Sequence, residues 1–314
     1  MTAGPIKLLA GSSHPELAKE ISKCLKVPLS EMVISRFACG EIYAKPKETV
    51  RGMDVFIIQT CTDRVNEDLM ELFIMLDSVK RSFAERIHVV MPHYGYARQD
   101  RVATPREPIS AKLMADLMST AGANHLIGLK FHSDQEQGFF NCSVDNLNTN
   151  KLFADYFRQK KIKDLVVVSP DAGGAKDAKK FADLLGAELA IIHKTRYAHN
   201  KADVTHVVGN VKGRTCVMYD DMIDTAGSVE AGIKALRNMG ADKDIYLAAT
   251  HAIFSHPAKE RLMGAGFKEV VVTNSTPITK DKMFKNLKVL SVAPLLAKII
   301  ENVHQSKSVT EVML

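Results

Sequence analysis

Hydrophobic residues occur in short unbroken runs that alternate with longer amphipathic segments along the chain. The runs IKLLAG, DVFIIQT, IHVVMP, LVVVSP, TCVMYDD and EVVVTN are rich in β-branched residues and predict buried strands of a mainly parallel sheet. The segments PELAKEISKCL and SVEAGIKALRNMG repeat apolar residues at helical spacing, and Gly240 ends the second. Strand, turn and helix in repetition predict a doubly wound α/β fold.

The two halves of the chain share this layout. KLLAGSSHPELAKEISKCLKVPLSEMVIS has the same order of strand, small-residue turn, helix and strand as LVVVSPDAGGAKDAKKFADLLGAELAIIH. We therefore expect two tandem duplicated domains, residues 1–146 and 147–290, with a C-terminal helix at about 291–314 that packs back on the first. The polar stretch NCSVDNLNTN, residues 141–150, is rich in turn-forming residues and predicts a hinge.

Composition narrows the classes of function. The 314 residues are 46% hydrophobic and 25% charged, as in ordinary globular proteins. The formal net charge is +6, but the basic residues are scattered, which argues against nucleic acid and favours small phosphorylated ligands. No run approaches the roughly 18 apolar residues of a membrane span. Five widely spaced cysteines without a CxxC pair argue against disulfides or zinc and predict a cytoplasmic protein.

The stretch CVMYDDMIDTAGS contains the most specific chemistry. A strand is predicted to end at Tyr219 and a helix to begin near Gly227, so the intervening loop lies where open α/β sheets bind ligands. Backbone N–H groups of residues 225–228 at the helix N-terminus can hold a phosphate. A plain strand-to-helix turn with aspartates as turn and capping residues is the alternative.

Three aspartates crowd the same loop: Asp220, Asp221 and Asp224. Carboxylates accept hydrogen bonds from hydroxyl groups and bind hard cations such as Mg²⁺. Phosphate at one end of the loop and hydroxyl groups at the other describe a sugar phosphate.

VMYDDMIDTAGS resembles the ribose-5-phosphate loop of the phosphoribosyltransferase fold. More narrowly, the chain resembles the ribose-phosphate diphosphokinase family, because further motifs follow in order along nearly its whole length: RFACGEIYAK, YARQDR, PISAKLMADLM, FHSDQEQGFF, VDNL, SPDAGGAK, THAIFSHPA, VVVTNSTP and SVTEVM. The resemblance implies a transferase of the kinase class in nucleotide biosynthesis. With Mg²⁺, it would transfer the β,γ-diphosphate of ATP to O1 of ribose 5-phosphate and release AMP.

The resemblance assigns roles by position. It implies Lys194 and Arg196 as catalytic residues on a loop that closes over ATP, and His132 and Asp171 as Mg²⁺ ligands. It implies that ATP is bound by Phe37, Cys39, Gly40, Glu41, Arg98 and Gln99. It implies that ribose 5-phosphate is bound by Arg196, Asp220, Asp221, Asp224, Thr225, Ala226, Gly227 and Ser228.

Several of these residues have an alternative, purely structural interpretation. Phe37 could be a core residue, His132 a structural histidine, and Asp171 a turn acid before two glycines. Residues 193–204, HKTRYAHNKADV, could be an ordinary solvated surface loop.

Regulation and assembly are also implied by the resemblance. A regulatory site for phosphate or ADP between subunits would use Thr49, Arg51, Gln137, Asp145, Asn146 and Ser308. Asp134 stands there in place of the usual small hydroxyl residue, and a carboxylate would repel a phosphate. The family forms homodimers that assemble into hexamers. Departures at Cys39, Ala103 and Asp177 leave nucleotide discrimination open.

Two rival functions remain. A phosphoribosyltransferase shares the anion loop, but such enzymes usually have one such domain and do not need RFACGE and YARQD. A catalytically silent relative that regulates an active synthetase would explain the departures, although the retained loop residues argue against it.

Overall fold

A computed structural model describes residues 4–195 and 204–313. The chain divides into two compact units. Unit 1 takes its described residues from Met1–Asn148, Ser275–Pro277 and Ser291–Leu314. Unit 2 takes its own from Thr149–Asn274 and Ile278–Leu290. The first boundary thus lies two residues beyond position 146, and a three-residue segment of the later chain belongs to unit 1.

Unit 1 is built on a six-stranded parallel sheet with the order β2-β1-β5-β6-β7-β8 and a separate antiparallel hairpin of β3 and β4. Its strands are β1 (Ile6–Ala10), β2 (Leu29–Ser30), β3 (Met32–Arg36), β4 (Ile42–Pro46), β5 (Asp54–Ile58), β6 (Arg86–Met91), β7 (His125–Leu129) and β8 (Ser143–Leu147). Its first three helices are α1 (Pro15–Leu25), α2 (Val65–Arg81) and α3 (Ser110–Ala121), and a 3₁₀ helix spans Asp134–Phe139.

Unit 2 is built on a seven-stranded sheet with the order β11-β10-β9-β12-β13-β14-β15, in which only β11 pairs antiparallel among the described strands. Its strands are β9 (Leu165–Ser169), β10 (Glu188–Thr195), β11 (Val204–Val208), β12 (Thr215–Ile223), β13 (Ile245–Ala252), β14 (Glu269–Thr273) and β15 (Leu287–Leu290). Its helices are α4 (Asn150–Gln159), α5 (Ala175–Leu185), α6 (Gly227–Asn238) and α7 (Ala258–Ala265), with a 3₁₀ turn at Lys280–Lys282.

The strand orders of the two sheets match. Without β11, the unit 2 order β10-β9-β12-β13-β14-β15 corresponds strand by strand to the unit 1 order β2-β1-β5-β6-β7-β8. Helices also follow equivalent strands. α1 follows β1 as α5 follows β9, and α2 follows β5 as α6 follows β12. The prediction of two duplicated, mainly parallel α/β domains is therefore confirmed.

The central strands have apolar side chains on both faces, which explains their unbroken hydrophobic runs. In β12, Cys216 and Met218 pack with one buried cluster, while Val217 and Tyr219 pack with the cluster on the opposite face. β5 and β7 are buried at every position. Each sheet thus has a core on both sides, as a doubly wound fold requires. Across the described residues, no helix is both long and apolar enough to cross a bilayer.

The C-terminal helices α8 (Ala293–His304) and α9 (Thr310–Met313) belong to unit 1, where α8 packs against α1. Buried residues line both contact faces, among them Leu17 and Ile21 of α1 and Leu296 and Ile300 of α8.

A row of polar side chains crosses the unit 1 sheet near the amino ends of its strands. Asp54 of β5 contacts His88 Nε2 at 2.8 Å and His304 Nδ1 of α8 at 2.7 Å. The Nδ1 atoms of His88 and His125 lie 3.0 Å apart, and His125 Nε2 is 3.1 Å from Asp145 of β8. Hydrogen bonds from one strand to the next therefore satisfy polar groups that would otherwise be costly to bury.

The stretch 141–150, expected to be a hinge between the two domains, contains the boundary between the units after Asn148, but most of it is regular structure. Its middle forms β8, which pairs with β7, and its last residue begins α4. β8 is an edge strand, where half-buried polar side chains such as Asp145 and Asn146 are tolerated, so its composition resembles that of a turn.

Candidate active site

The acidic end of β12 is part of the sheet of unit 2. The prediction that the strand ends at Tyr219 is wrong, because Asp220 pairs with Ala249 and Ile223 pairs with Ala252 in the equally extended β13. Asp220 and Asp221 therefore project from a strand, and their backbone positions are fixed by the neighbouring β13. The Asp221 amide also donates to the Asp220 carboxylate at 2.9 Å.

Carboxylates crowd one another at this strand end. Burial raises the pKa of Asp220 well above its usual range, and the charges of Asp221 and, more weakly, Asp171 raise it further. Asp171 follows β9, the direct neighbour of β12, so both acids lie at the same edge of the sheet. Such a cluster favours a cation or several hydroxyl donors.

Asp171 also stabilises its own turn. Its carboxylate accepts a hydrogen bond from the Gly174 amide at 2.9 Å, and its carbonyl accepts one from the Ser169 hydroxyl at 2.7 Å. The turn role that the sequence left open is therefore present, and it holds the Asp171 carboxylate beside the end of β12.

The segment after β12 ends in the N-terminus of α6. As expected, the helix begins at Gly227, and Thr225 and Ser228 are exposed beside it. Ala226 precedes the helix with φ 60°, in the left-handed region, which costs a non-glycine residue about 1 kcal/mol. No side chain among the described residues caps the N-terminus of α6, and two exposed hydroxyls lie beside it, an arrangement suited to an anion.

Arg261 contacts this turn, and the sequence did not predict that contact. It lies on α7 and donates from Nη1 to the Thr225 carbonyl at 2.9 Å. Thirty-six residues separate the two partners, and no local pattern signals the contact.

The FACGE segment forms the turn of the β3–β4 hairpin in unit 1. The Phe37 amide donates to the Glu41 carbonyl at 2.9 Å, and the Gly40 amide donates to the Phe37 carbonyl at 2.8 Å. Gly40 has φ 94°, which favours glycine there, and Cys39 is exposed. Phe37 is 55% exposed, so the alternative of a core phenylalanine is wrong.

Arg98 and Gln99 are exposed in the turn before α3. Gln99 accepts a hydrogen bond from the Ser110 hydroxyl at 2.6 Å, so its side chain also fixes the start of α3. The hairpin and this turn both contact the first turn of α2: Arg36 pairs with Glu67, and the Tyr96 hydroxyl donates to Asn66. The structure thus brings the two predicted ATP-binding segments to the same end of unit 1.

His132 is exposed after β7, and a buried carboxyl group lies nearby. Burial raises the pKa of Glu136 to about 7, with Asp100 adding to the rise and His132 opposing it. The Glu136 carboxylate accepts a hydrogen bond from the Ser133 amide at 2.8 Å. The capping pattern Ser133-x-x-Glu136 is visible in the sequence and would have identified this residue.

Comparisons with known proteins agree along the chain. A family model described as the N-terminal domain of ribose phosphate pyrophosphokinase matches residues 6–122, and one described as the phosphoribosyl synthetase-associated domain matches residues 195–313. The ribose-phosphate pyrophosphokinase of Bacillus subtilis (strain 168) is 46% identical over 97% of this chain and 96% of its own. That of Bacillus caldolyticus is 47% identical over the same shares of both chains. The chain belongs to the ribose-phosphate pyrophosphokinase family.

A solved structure supports the same conclusion. The phosphoribosylpyrophosphate synthetase from Mycobacterium smegmatis superposes with a TM-score of 0.91 and 46% identity, over 96% of this chain and 99% of that chain. The resemblance inferred from the motifs, the fold class and the assignment to a diphosphotransferase of the kinase class are therefore confirmed, and neither rival function gains support.

Some predicted residues of the family lie at or beyond the limits of the described structure. The backbone of Lys194 is part of β10, so the strand extends two residues further than LAIIH. Arg196 lies outside the described residues. His132 belongs to unit 1 and Asp171 to unit 2. Within the described ranges, no group of three or more His, Cys, Asp or Glu side chains is arranged to hold a metal ion.

The residues expected at the family's regulatory site all belong to unit 1. Arg51 lies over the Phe83 ring, 5.2 Å from its centroid, and Asn146 accepts a hydrogen bond from the Phe131 amide at 3.0 Å. The Ser308 carbonyl accepts a hydrogen bond from Asn302 of α8 at 2.7 Å. Thr49 and Gln137 are exposed. Regulation by phosphate or ADP stays a prediction.

Proposed function

We propose that this chain transfers the diphosphate of ATP to O1 of ribose 5-phosphate, and that unit 2 binds the sugar phosphate. One observation carries the proposal. The carboxylates at the end of β12 are followed, within a few residues, by the N-terminus of α6. One end suits hydroxyl groups and a cation, and the other suits a phosphate.

The sugar phosphate would lie along the segment from the end of β12 to the start of α6. Backbone N–H groups of residues 225–228 and the hydroxyls of Thr225 and Ser228 would hold the 5-phosphate. Asp220 and Asp221 would accept hydrogen bonds from the ribose hydroxyls, with Asp224 at the junction.

Mg²⁺ fits the chemistry of the donors, and we propose His132 and Asp171 as its ligands from the protein. The raised pKa of Asp220 reflects, after burial, the neighbouring charges of Asp221 and Asp171, and a divalent cation would relieve that repulsion. Mg²⁺ would keep several waters and bind substrate phosphates as well as the side chains of His132 and Asp171. When bound, Mg²⁺ would neutralise charge on the diphosphate.

ATP would be held by the hairpin and the turn before α3. The exposed Phe37 ring offers a surface for the adenine base, and Cys39, Gly40, Glu41, Arg98 and Gln99 would complete the site. In the reaction, O1 forms a bond to the β-phosphorus and loses its proton, while the bond from that phosphorus to the α-phosphate oxygen breaks and AMP leaves.

Lys194 and Arg196 would stabilise the charge on the transferred group, with Arg196 also close to the sugar phosphate. Phosphoryl transfer depends mainly on alignment and electrostatic stabilisation. Lys194→Ala is therefore expected to lower turnover on the order of a hundred- to thousand-fold.

The deciding assay combines the purified chain with ATP, Mg²⁺ and ribose 5-phosphate and follows AMP. AMP release that requires the sugar supports the proposal, and its absence would contradict it. Release of diphosphate from phosphoribosyl pyrophosphate in the presence of a base would favour a transferase instead. Asp224→Asn should weaken affinity for ribose 5-phosphate more than for ATP; the reverse would show that the sugar site is misplaced.

Assembly and location complete the proposal. We propose a homodimer that assembles into a hexamer and acts in the cytoplasm on small molecules, without nucleic acid or membrane partners. Light scattering during size-exclusion chromatography measures the assembly directly, and a monomer at micromolar concentration would contradict this part alone.

A further inference from the structure

Arg261 reaches the phosphate-binding turn from a neighbouring helix. Its Nη1 donates to the Thr225 carbonyl at 2.9 Å, and its Nε lies 3.6 Å from a carboxylate oxygen of Glu230 on α6. The Arg261 side chain is 38% exposed, so part of the guanidinium faces solvent beside the turn.

The hydrogen bond fixes the orientation of one peptide group. The carbonyl of Thr225 and the amide of Ala226 belong to the same planar trans peptide and point in opposite directions. While Arg261 holds the carbonyl toward α7, the Ala226 N–H must point away from α7. If this peptide flipped, a carbonyl oxygen would replace an N–H group in the anion-binding turn.

The backbone of this turn needs such support. Ala226 has φ 60°, a conformation that residues other than glycine adopt rarely. A hydrogen bond from a charged donor to the preceding carbonyl stabilises the conformation from outside the turn.

The guanidinium also lies next to the first residue of α6. A Cβ atom placed on Gly227 would be 3.4 Å from Arg261 Nη1. A full positive charge therefore stands beside the N-terminus of α6, where the helix dipole already favours an anion.

We propose that Arg261 is a positioning residue for ribose 5-phosphate: it holds the 225–226 peptide so that the Ala226 N–H is available to the 5-phosphate. This inference rests on the proposed function of the same turn. An arginine that merely forms a surface ion pair with Glu230 would contribute little and would leave substrate affinity unchanged.

The test compares Arg261→Ala with wild type in steady-state kinetics and in calorimetric binding of ribose 5-phosphate. We expect KM for ribose 5-phosphate to rise about tenfold or more, the usual cost of losing a charge-assisted hydrogen bond, with kcat and KM for ATP within about twofold. Arg261→Lys keeps a cationic donor of similar reach and should recover most of the affinity.

The chain offers a matched control. Arg237, in the last turn of α6, also donates to a backbone carbonyl, that of Gly266 at 2.9 Å, but it lies at the opposite end of the helix. Arg237→Ala should leave KM for ribose 5-phosphate unchanged. Thermal unfolding of each variant checks that the fold is retained.

High salt distinguishes an effect of the 225–226 peptide orientation from a purely electrostatic effect of the Arg261 charge. In about 0.5 M salt, a purely electrostatic contribution is largely screened, whereas the effect of a misoriented peptide persists. Loss of the difference between wild type and Arg261→Ala in high salt would overturn the positioning role. Equal binding of ribose 5-phosphate by both proteins would overturn it as well. A wild-type chain that binds the sugar phosphate but releases no AMP would overturn only the proposed reaction.

Discussion

The turn after β5 in unit 1 and the segment after β12 in unit 2 occupy equivalent places in two sheets of matching strand order, yet their contents differ. In unit 1, Gln59 accepts a hydrogen bond from the Ser13 hydroxyl at 2.6 Å and donates to Glu71 at 2.9 Å. Glu71 also accepts from the Ser12 amide at 2.6 Å and the Ser12 hydroxyl at 2.7 Å. In unit 1, hydrogen bonds between the protein's own side chains therefore fill this place.

The carboxylates at these two positions have different surroundings. Asp68 of unit 1 accepts hydrogen bonds from the Thr62 amide at 2.7 Å and the Thr62 hydroxyl at 2.6 Å, which satisfies a buried charge locally. In unit 2, the pKa of Asp220 is raised by burial and by the charge of the adjacent Asp221 at the strand end. One fold can thus fill this position with its own hydrogen bonds in one copy and carry the proposed ligand site there in the other.

The largest expected effect comes from neutralising the acidic strand end. Asp221→Asn should lower AMP release on the order of a hundred- to thousand-fold, because it removes an acceptor and a negative charge at the proposed sugar site. The unfolding temperature should not fall, since the substitution relieves repulsion with Asp220. A thermal melt beside the AMP assay measures both, and a clear loss of stability would remove the contrast with unit 1.

Substitution in the unit 1 turn should lower stability and leave activity unchanged. Gln59→Ala removes the acceptor of the Ser13 hydroxyl and one of the donors to the Glu71 carboxylate, and should cost about 3 kcal/mol of unfolding free energy. Denaturant titration measures this loss, while kcat per folded molecule should stay unchanged. Gln137→Ala, at an exposed position of unit 1, is the control. A defect in kcat would show that the unit 1 turn also takes part in the reaction.

The polar row in unit 1 predicts a pH dependence of stability. Burial lowers the pKa of His88, so the unfolded chain binds a proton near pH 6.5 that the folded chain does not, and stability falls as the pH drops through that value. Burial alone would raise the pKa of Asp54, but hydrogen bonds from His88 and His304 lower it, so its contribution is lost in stronger acid.

His88→Asn tests this. It should cost about 2 kcal/mol at pH 7, since Asp54 loses a buried partner, and it should flatten the stability profile between pH 7 and pH 5. Urea denaturation at several pH values gives the profile, with His256→Asn at an exposed position as the control. An unchanged slope would show that His88 does not titrate differently in the folded chain.

The smallest expected effect concerns Glu136. Its pKa of about 7 in the folded chain lies above the ordinary value of 4.5, so its protonated form favours folding and stability is lost as the pH rises between those values. From pH 6 to pH 7 wild type should lose about 1 kcal/mol relative to Glu136→Gln. A parallel pH dependence of the two proteins would contradict the raised pKa.

The central strands and the order of motifs could be predicted from the sequence because both are local. The valine run of β9 has apolar side chains on both faces of the sheet and cannot be anything but a buried segment. The start of α6 at Gly227 was predictable for the same reason, since the small residues around it follow a strand closely.

Features set by distant partners could not be predicted in this way. Asp220 interrupts the apolar run of β12, yet pairing with β13 keeps it in the strand. β8 has the composition of a turn because only one neighbour pairs with it. Arg261 contacts Thr225 through the packing of α7, and no spacing in the sequence encodes that contact.

The contact between α1 and α8 has a consequence for synthesis. α1 leaves the ribosome early, but α8, which packs against it, is made only after all of unit 2. The Ser291 hydroxyl, just before α8, also donates a hydrogen bond to the Glu20 carboxylate of α1. The contact between α1 and α8 therefore cannot form until α8 has been translated.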